Sequence, residues 1–136
     1  VLTRDRIRVL VIDDDELARE YLCEVLRFDG FTVFDLPSTI GVTNTIVREN
    51  ISVVVLDVMM PTMRGDKLAT LLRKKTQLSH LGVVLVSGCE RTELEAMAIE
   101  VNADAVVSKA DVRELLSDAV LRSTRRRSTI APPRIS

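Results

Sequence analysis

Aromatic residues are scarce. Three Phe, one Tyr and no Trp make up 3% of the 136 residues. No stacking side chains therefore interleave with the basic ones, as single-stranded nucleic-acid binding would need. Two cysteines, Cys23 and Cys89, make neither a disulfide framework nor a thiolate metal site. A reducing cytoplasm is the expected setting. His80 is the only histidine and sits in the polar segment Gln77-Leu78-Ser79-His80. It reads as a solvated loop residue, because a lone imidazole without ligand neighbours is poor evidence for catalysis or metal binding. Apolar runs such as Val83 to Val86 fall far short of a membrane span. No signal-peptide pattern is expected, since Arg4, Asp5, Arg6 and Arg8 come first and no small-residue cleavage site follows. A net charge of -1 offers no global field towards nucleic acid or acidic lipid.

What is present suits one folded domain. The chain is 46% hydrophobic and 29% charged, a soluble globular balance. Short apolar runs alternate with helical patterns. Arg8 to Ile12, Val53 to Leu56 and Val83 to Val86 read as buried strands, with Thr32 to Leu36 and Ala105 to Val107 as two more. Leu17, Ala18, Tyr21, Leu22, Val25 and Leu26 recur at helical spacing, and Gly30 ends that helix. Leu68, Leu71 and Leu72 repeat the pattern. Thr92 with Glu95, and Asp111 with Glu114, are expected as capping boxes for two later helices. Ser38 to Glu49 has poor helix propensity, with Gly41 and many β-branched residues. It is assigned to helix because parallel strands need a crossover.

From Arg122 onward there are five arginines and no acid. We expect Arg125, Arg126 and Arg127 to end the last helix, where cations complement its dipole, or to begin a linker. The chain divides into a folded domain, 1–122, and a basic tail or linker, 123–136.

Five βα units predict an α/β fold, a doubly wound five-stranded parallel sheet. Such sheets bind ligands at the carboxyl ends of their strands. The residues there are Asp13 and Asp14 after the first strand, Asp57 after the third, Ser87 after the fourth and Lys109 after the fifth. The second strand offers no equivalent. In the common order 2-1-3-4-5, the first and third strands are neighbours and the three carboxylates converge. They cannot all stay ionised without a counter-charge. Oxygen-only ligation suits Mg²⁺. Lys109 supplies a cation for a phosphoryl oxygen, and Ser87 a hydroxyl donor. Together they describe a site that stabilises a transferring phosphoryl group, with a carboxylate able to act as acceptor.

These residues, in VLVIDDD, VVVLDVMMPTMRG, VVLVSG and AVVSK, resemble the receiver domain of bacterial two-component response regulators, a CheY-like fold. The resemblance covers roughly Arg8 to Arg122. It implies that Asp57 accepts the phosphoryl group. It implies that Asp13, Asp14, Asp57 and the backbone carbonyl of Met59 hold Mg²⁺, with Asp13 acting mainly through water. Ser87 and Lys109 would contact the phosphoryl oxygens. A histidine kinase or phosphotransfer protein would be the donor. An output domain or downstream protein, and a homodimer, are the implied partners. Asp15 would start the first helix.

Two positions depart from the family pattern. Val106 stands where members often carry an aromatic switch residue, and Ala110 where a cis proline often follows the lysine. Lys109-Ala110 is expected to be trans, because a cis non-proline bond costs about 2.5–4 kcal/mol. Two other readings remain open. One is a receiver-like module that binds partners without phosphorylation. The other is a haloacid-dehalogenase-like phosphatase using Asp13 and Asp15 as its Asp-x-Asp pair.

Overall fold

The structure, a computed structural model, describes residues 3–61 and 63–128. Five strands form one parallel sheet: β1 (Arg8–Ile12), β2 (Thr32–Leu36), β3 (Val53–Asp57), β4 (Gly82–Ser87) and β5 (Ala105–Ser108). Their order is β2-β1-β3-β4-β5, as the sequence pattern predicts. Five helices link and flank them: α1 (Glu16–Phe28), α2 (Val42–Arg48), α3 (Gly65–Arg73), α4 (Arg91–Val101) and α5 (Val112–Ser128).

The central strands are buried on both faces, which explains their unbroken apolar runs. Side-chain alternation divides each run between two cores. Leu10, Ile12, Val54, Leu56, Val83 and Leu85 face α2, α3 and α4, meeting Ile46, Leu68, Leu72 and Leu94. Val9, Val11, Val53, Val55, Val84 and Val86 face α1 and α5, meeting Leu22, Leu26, Leu116 and Val120. Gly82 is a point of close approach. A Cβ there would collide with the buried Ser123 Oγ, so glycine lets α5 lie flush on β4.

Four local expectations need correction. The helix assigned to Ser38–Glu49 is shorter, Val42–Arg48. Gly41 lies in the left-handed region at its N-cap (φ 81°) and supplies no side chain to cap it. The Thr92–Glu95 capping box does not form. α4 starts at Arg91, so Thr92 is inside the helix, and Arg91 pairs with Glu95 at 2.9 Å. In the α1 stripe, Leu22, Cys23 and Leu26 are buried, whereas Leu17 and Tyr21 are exposed. Finally, α5 continues past Arg122 to Ser128, because Ser123 and Arg127 are both buried against the body of the domain. The segment 129–136, including Pro132-Pro133, lies outside the described residues.

Gly30 does follow the end of α1, with φ 96°. No cis peptide bond occurs among the described residues, so Lys109-Ala110 is trans. His80 is exposed in the turn before β4. No described helix is long and apolar enough to cross a membrane.

Candidate functional site

Strand register brings the polar residues to one edge. Ile12 pairs with Leu56, Asp57 with Val86, and Ser87 with Ser108. Asp13, Asp57, Ser87 and Lys109 thus lie at the carboxyl ends of β1, β3, β4 and β5. Ligand-oxygen positions of Asp13, Asp14 and Asp57 fall within 4.8 Å of one another. Asp13 and Asp57 are buried and Asp14 is exposed. Lys109 Nζ lies 3.6 Å from Asp57 Oδ1 and 4.0 Å from Asp13 Oδ2.

The loops hold these carboxylates by their backbones. Asp13 Oδ1 accepts from Asp15 N at 3.0 Å, and Asp57 Oδ1 accepts from Met59 N at 3.3 Å. Asp13 Oδ2 is buried without a hydrogen-bond partner. A buried carboxylate oxygen in that state is costly unless a cation satisfies it. Burial raises the Asp13 carboxyl from 3.8 to about 6, and the neighbouring Asp57 charge pushes the same way. Burial also raises Asp57, with Lys109 opposing it. One ammonium does not balance three carboxylates, and the donor set is all oxygen. These residues fit a hard divalent cation.

Ser87 is fully buried, and its Oγ accepts from Cys89 N at 3.2 Å. Met59 is exposed, 59% accessible, on the loop beside Asp57. Gly65 closes that loop: its N–H donates to the Val58 carbonyl at 2.9 Å. A Cβ on Gly65 would collide with the Asp57 backbone carbonyl. Glycine is therefore needed for α3 to start against the β3 end, a role beyond that of a turn residue.

Asp15 points elsewhere. It caps α1, its side chain accepting from Ala18 N at 3.3 Å. This leaves Asp13 and Asp15 without a shared active-site role and places Asp57 beside Lys109, against the phosphatase arrangement. Val106 is partly buried on the α4 side with Cys89, Met97 and Ala98.

A family model described as the response regulator receiver domain matches residues 9–120. The chain belongs to this family. Receiver domains are signalling phosphoacceptors of two-component systems, and they bind Mg²⁺ at an acidic pocket. Among curated proteins, this receiver is 29% identical over 119 residues to a cyclic di-GMP phosphodiesterase of Thermotoga maritima, covering 88% of this chain and 31% of that protein. It is 35% identical over 111 residues to the response regulator protein FleR of Pseudomonas aeruginosa, covering 80% and 23%. The chain thus spans less than a third of either relative. The fold matches a response regulator receiver domain protein from Clostridium thermocellum with a TM-score of 0.79 and 24% identity, covering 92% of this chain and 99% of that one.

Two contributors escaped the sequence reading. Arg19 on α1 and Asp35 on β2 pair at 2.8 Å, and Arg19 also donates to the Asp13 backbone carbonyl at 2.9 Å. The available signal was an arginine one helical turn after the acidic loop. Its partner could not be found from strand order alone, because the packing of α1 against the end of β2 decides which side chain Arg19 meets.

Proposed function

We propose that this receiver takes a phosphoryl group on Asp57 in a Mg²⁺-dependent reaction and acts as a conformational switch in a response regulator. The observation that carries this reading is the buried Asp57 beside Lys109, next to an Asp13 oxygen that has no hydrogen bond. An Asp57 carboxylate oxygen attacks phosphorus. The bond from phosphorus to the donor breaks: with a phosphohistidine the P–N bond, the imidazole leaving, and with an acyl phosphate the P–O bond, the carboxylate leaving. Lys109 pairs with the phosphoryl oxygens and the Ser87 hydroxyl donates to them. Asp13, Asp14, Asp57 and the Met59 carbonyl would hold Mg²⁺. When bound, the ion supplies positive charge against that developing on the phosphoryl oxygens.

The donor is a histidine kinase or phosphotransfer protein, or a small acyl phosphate. The output lies on the surface of α4, β5 and α5, where Ile99 and Leu115 are exposed. A homodimer, an attached output domain and a downstream protein are the proposed recipients. Val106 brings no aromatic ring to the switch, so displacement of the β4–α4 loop by Ser87 carries the signal to α4.

Intact-mass spectrometry after acetyl phosphate and Mg²⁺ tests the reading. A single phosphate adduct is expected, absent in Asp57→Ala and in EDTA. No adduct from any donor would leave a module that binds partners without phosphorylation. The adduct should also be long-lived. Met59 and Cys89 flank the site at the positions where family members tune hydrolysis, and neither orients water well. Rapid phosphate loss without a phosphatase would refute that expectation.

A further inference from the structure

β2 lies at the sheet edge and brings no residue to the carboxylate cluster, yet its end is fastened to the acidic loop twice. The Asp13 N–H donates to the Leu36 carbonyl at 3.3 Å. The Asp13 carbonyl accepts from Arg19 Nη1 at 2.9 Å, while Arg19 Nε holds Asp35 Oδ2 at 2.8 Å. The Arg19 side chain is only 14% exposed. Both backbone polar groups of Asp13 are thereby tied to β2, one directly and one through Arg19. The same residue carries the buried Oδ2 of the site, which has no hydrogen bond and meets only the Lys109 ammonium at 4.0 Å.

We infer that Arg19 and Asp35 form a positioning pair that sets the orientation of Asp13 for cation binding. The inference rests on the phosphoacceptor reading and goes beyond it. Neither side chain belongs to the carboxylate cluster of Asp13, Asp14 and Asp57; each would act through Asp13. A planar guanidinium suits the task, because its fork serves a carbonyl and a carboxylate at once. Asp35 has a second effect, since it offsets the charge of Arg19 close to a site for a dication.

The charge of Arg19 makes the inference testable by sign. Coulomb repulsion alone predicts that Arg19→Ala tightens Mg²⁺ binding, because a cation near the site is removed. Positioning predicts weaker binding, of the kind seen when residues supporting a metal ligand are lost, about tenfold. Calorimetric titration with MgCl₂ should therefore give a raised Kd for Arg19→Ala. Acetyl phosphate labelling should fall at sub-saturating Mg²⁺ and return to the wild-type end point at saturation. Should Arg19→Ala fail to fold, Arg19→Lys carries the test: it keeps the charge, so Coulomb repulsion predicts no change, but it loses the planar fork that joins Asp35 to the Asp13 carbonyl, so Kd must again rise. An unchanged or lower Kd in a folded variant, beside normal binding by wild type, overturns this inference alone. Wild-type protein that binds no Mg²⁺ overturns the phosphoacceptor reading and this inference with it.

Discussion

Asp13 shows at the residue scale what the site costs. Its carboxyl is raised from 3.8 to about 6, first by burial and then by Asp57. A raised acid pKa means that the folded state holds the proton more tightly than the unfolded one. The stability this contributes is complete below pH 3.8 and is lost as pH rises through about 6. The loss is on the order of 2–3 kcal/mol. Metal-free protein should therefore melt lower at pH 7 than at pH 4.5. Asp13→Asn should melt higher than wild type at pH 7 in EDTA, with a shallower dependence on pH. A thermal-melt series from pH 4 to 7 checks both, and an unchanged slope in Asp13→Asn would remove Asp13 as the source. The acid cluster and the strand-end Asp57, Ser87 and Lys109 were all legible as residues. The buried state of Asp13 and the turning away of Asp15 were not, because adjacent acids look alike until the loop sets their directions.

At the element scale, the basic end of α5 is the clearest case of a pattern changing meaning. Read along the chain, Arg125-Arg126-Arg127 is a charge run at a helix terminus. In the fold, Arg127 is buried and its Nε bonds Asp104 Oδ1 at 2.8 Å. Arg73 of α3 bonds Asp104 Oδ2 at 2.8 Å, and Val83 N donates to the same oxygen. Arg73 and Arg127 also both donate to the Asn102 carbonyl, where α4 ends in a left-handed turn. Burial lowers the Arg73 guanidinium to about 10, and Asp104 opposes the shift. One carboxylate thus ties α3, α4 and α5 together at the end of the sheet away from the site. Asp104→Ala would leave two buried arginines without their counter-ion, at a cost of about 3–5 kcal/mol. Urea denaturation should show the midpoint falling by a corresponding amount. A loss below 1 kcal/mol would mean that the arginines escape to solvent.

For the whole molecule, a cation held at the carboxylate cluster would make fold stability and cation binding one equilibrium. A ligand that binds only the folded state adds about 2.7 kcal/mol at a free concentration one hundred times its Kd. The melting temperature should rise with the logarithm of Mg²⁺ concentration and fall back on chelation. Asp14→Ala should abolish most of that rise with little effect on metal-free stability, since Asp14 is exposed. A full Mg²⁺ response in Asp14→Ala would place the ion elsewhere.

Strand positions, parallel pairing and the order β2-β1-β3-β4-β5 were determined by sequence alone. Buried strands must be continuously apolar, and βα repeats admit few topologies. The polar residue ending each central strand was equally plain, because a charge after an apolar run has to face the sheet edge. Tertiary structure alone decided what depends on neighbours distant in the chain. It placed Asp35 under Arg19 and the Asp57 carbonyl against Gly65. It also set Ser123 against Gly82 and Asp104 among arginines from two helices. Such partners are chosen by packing between elements, and periodicity within one element carries no record of which side chain lies across the gap.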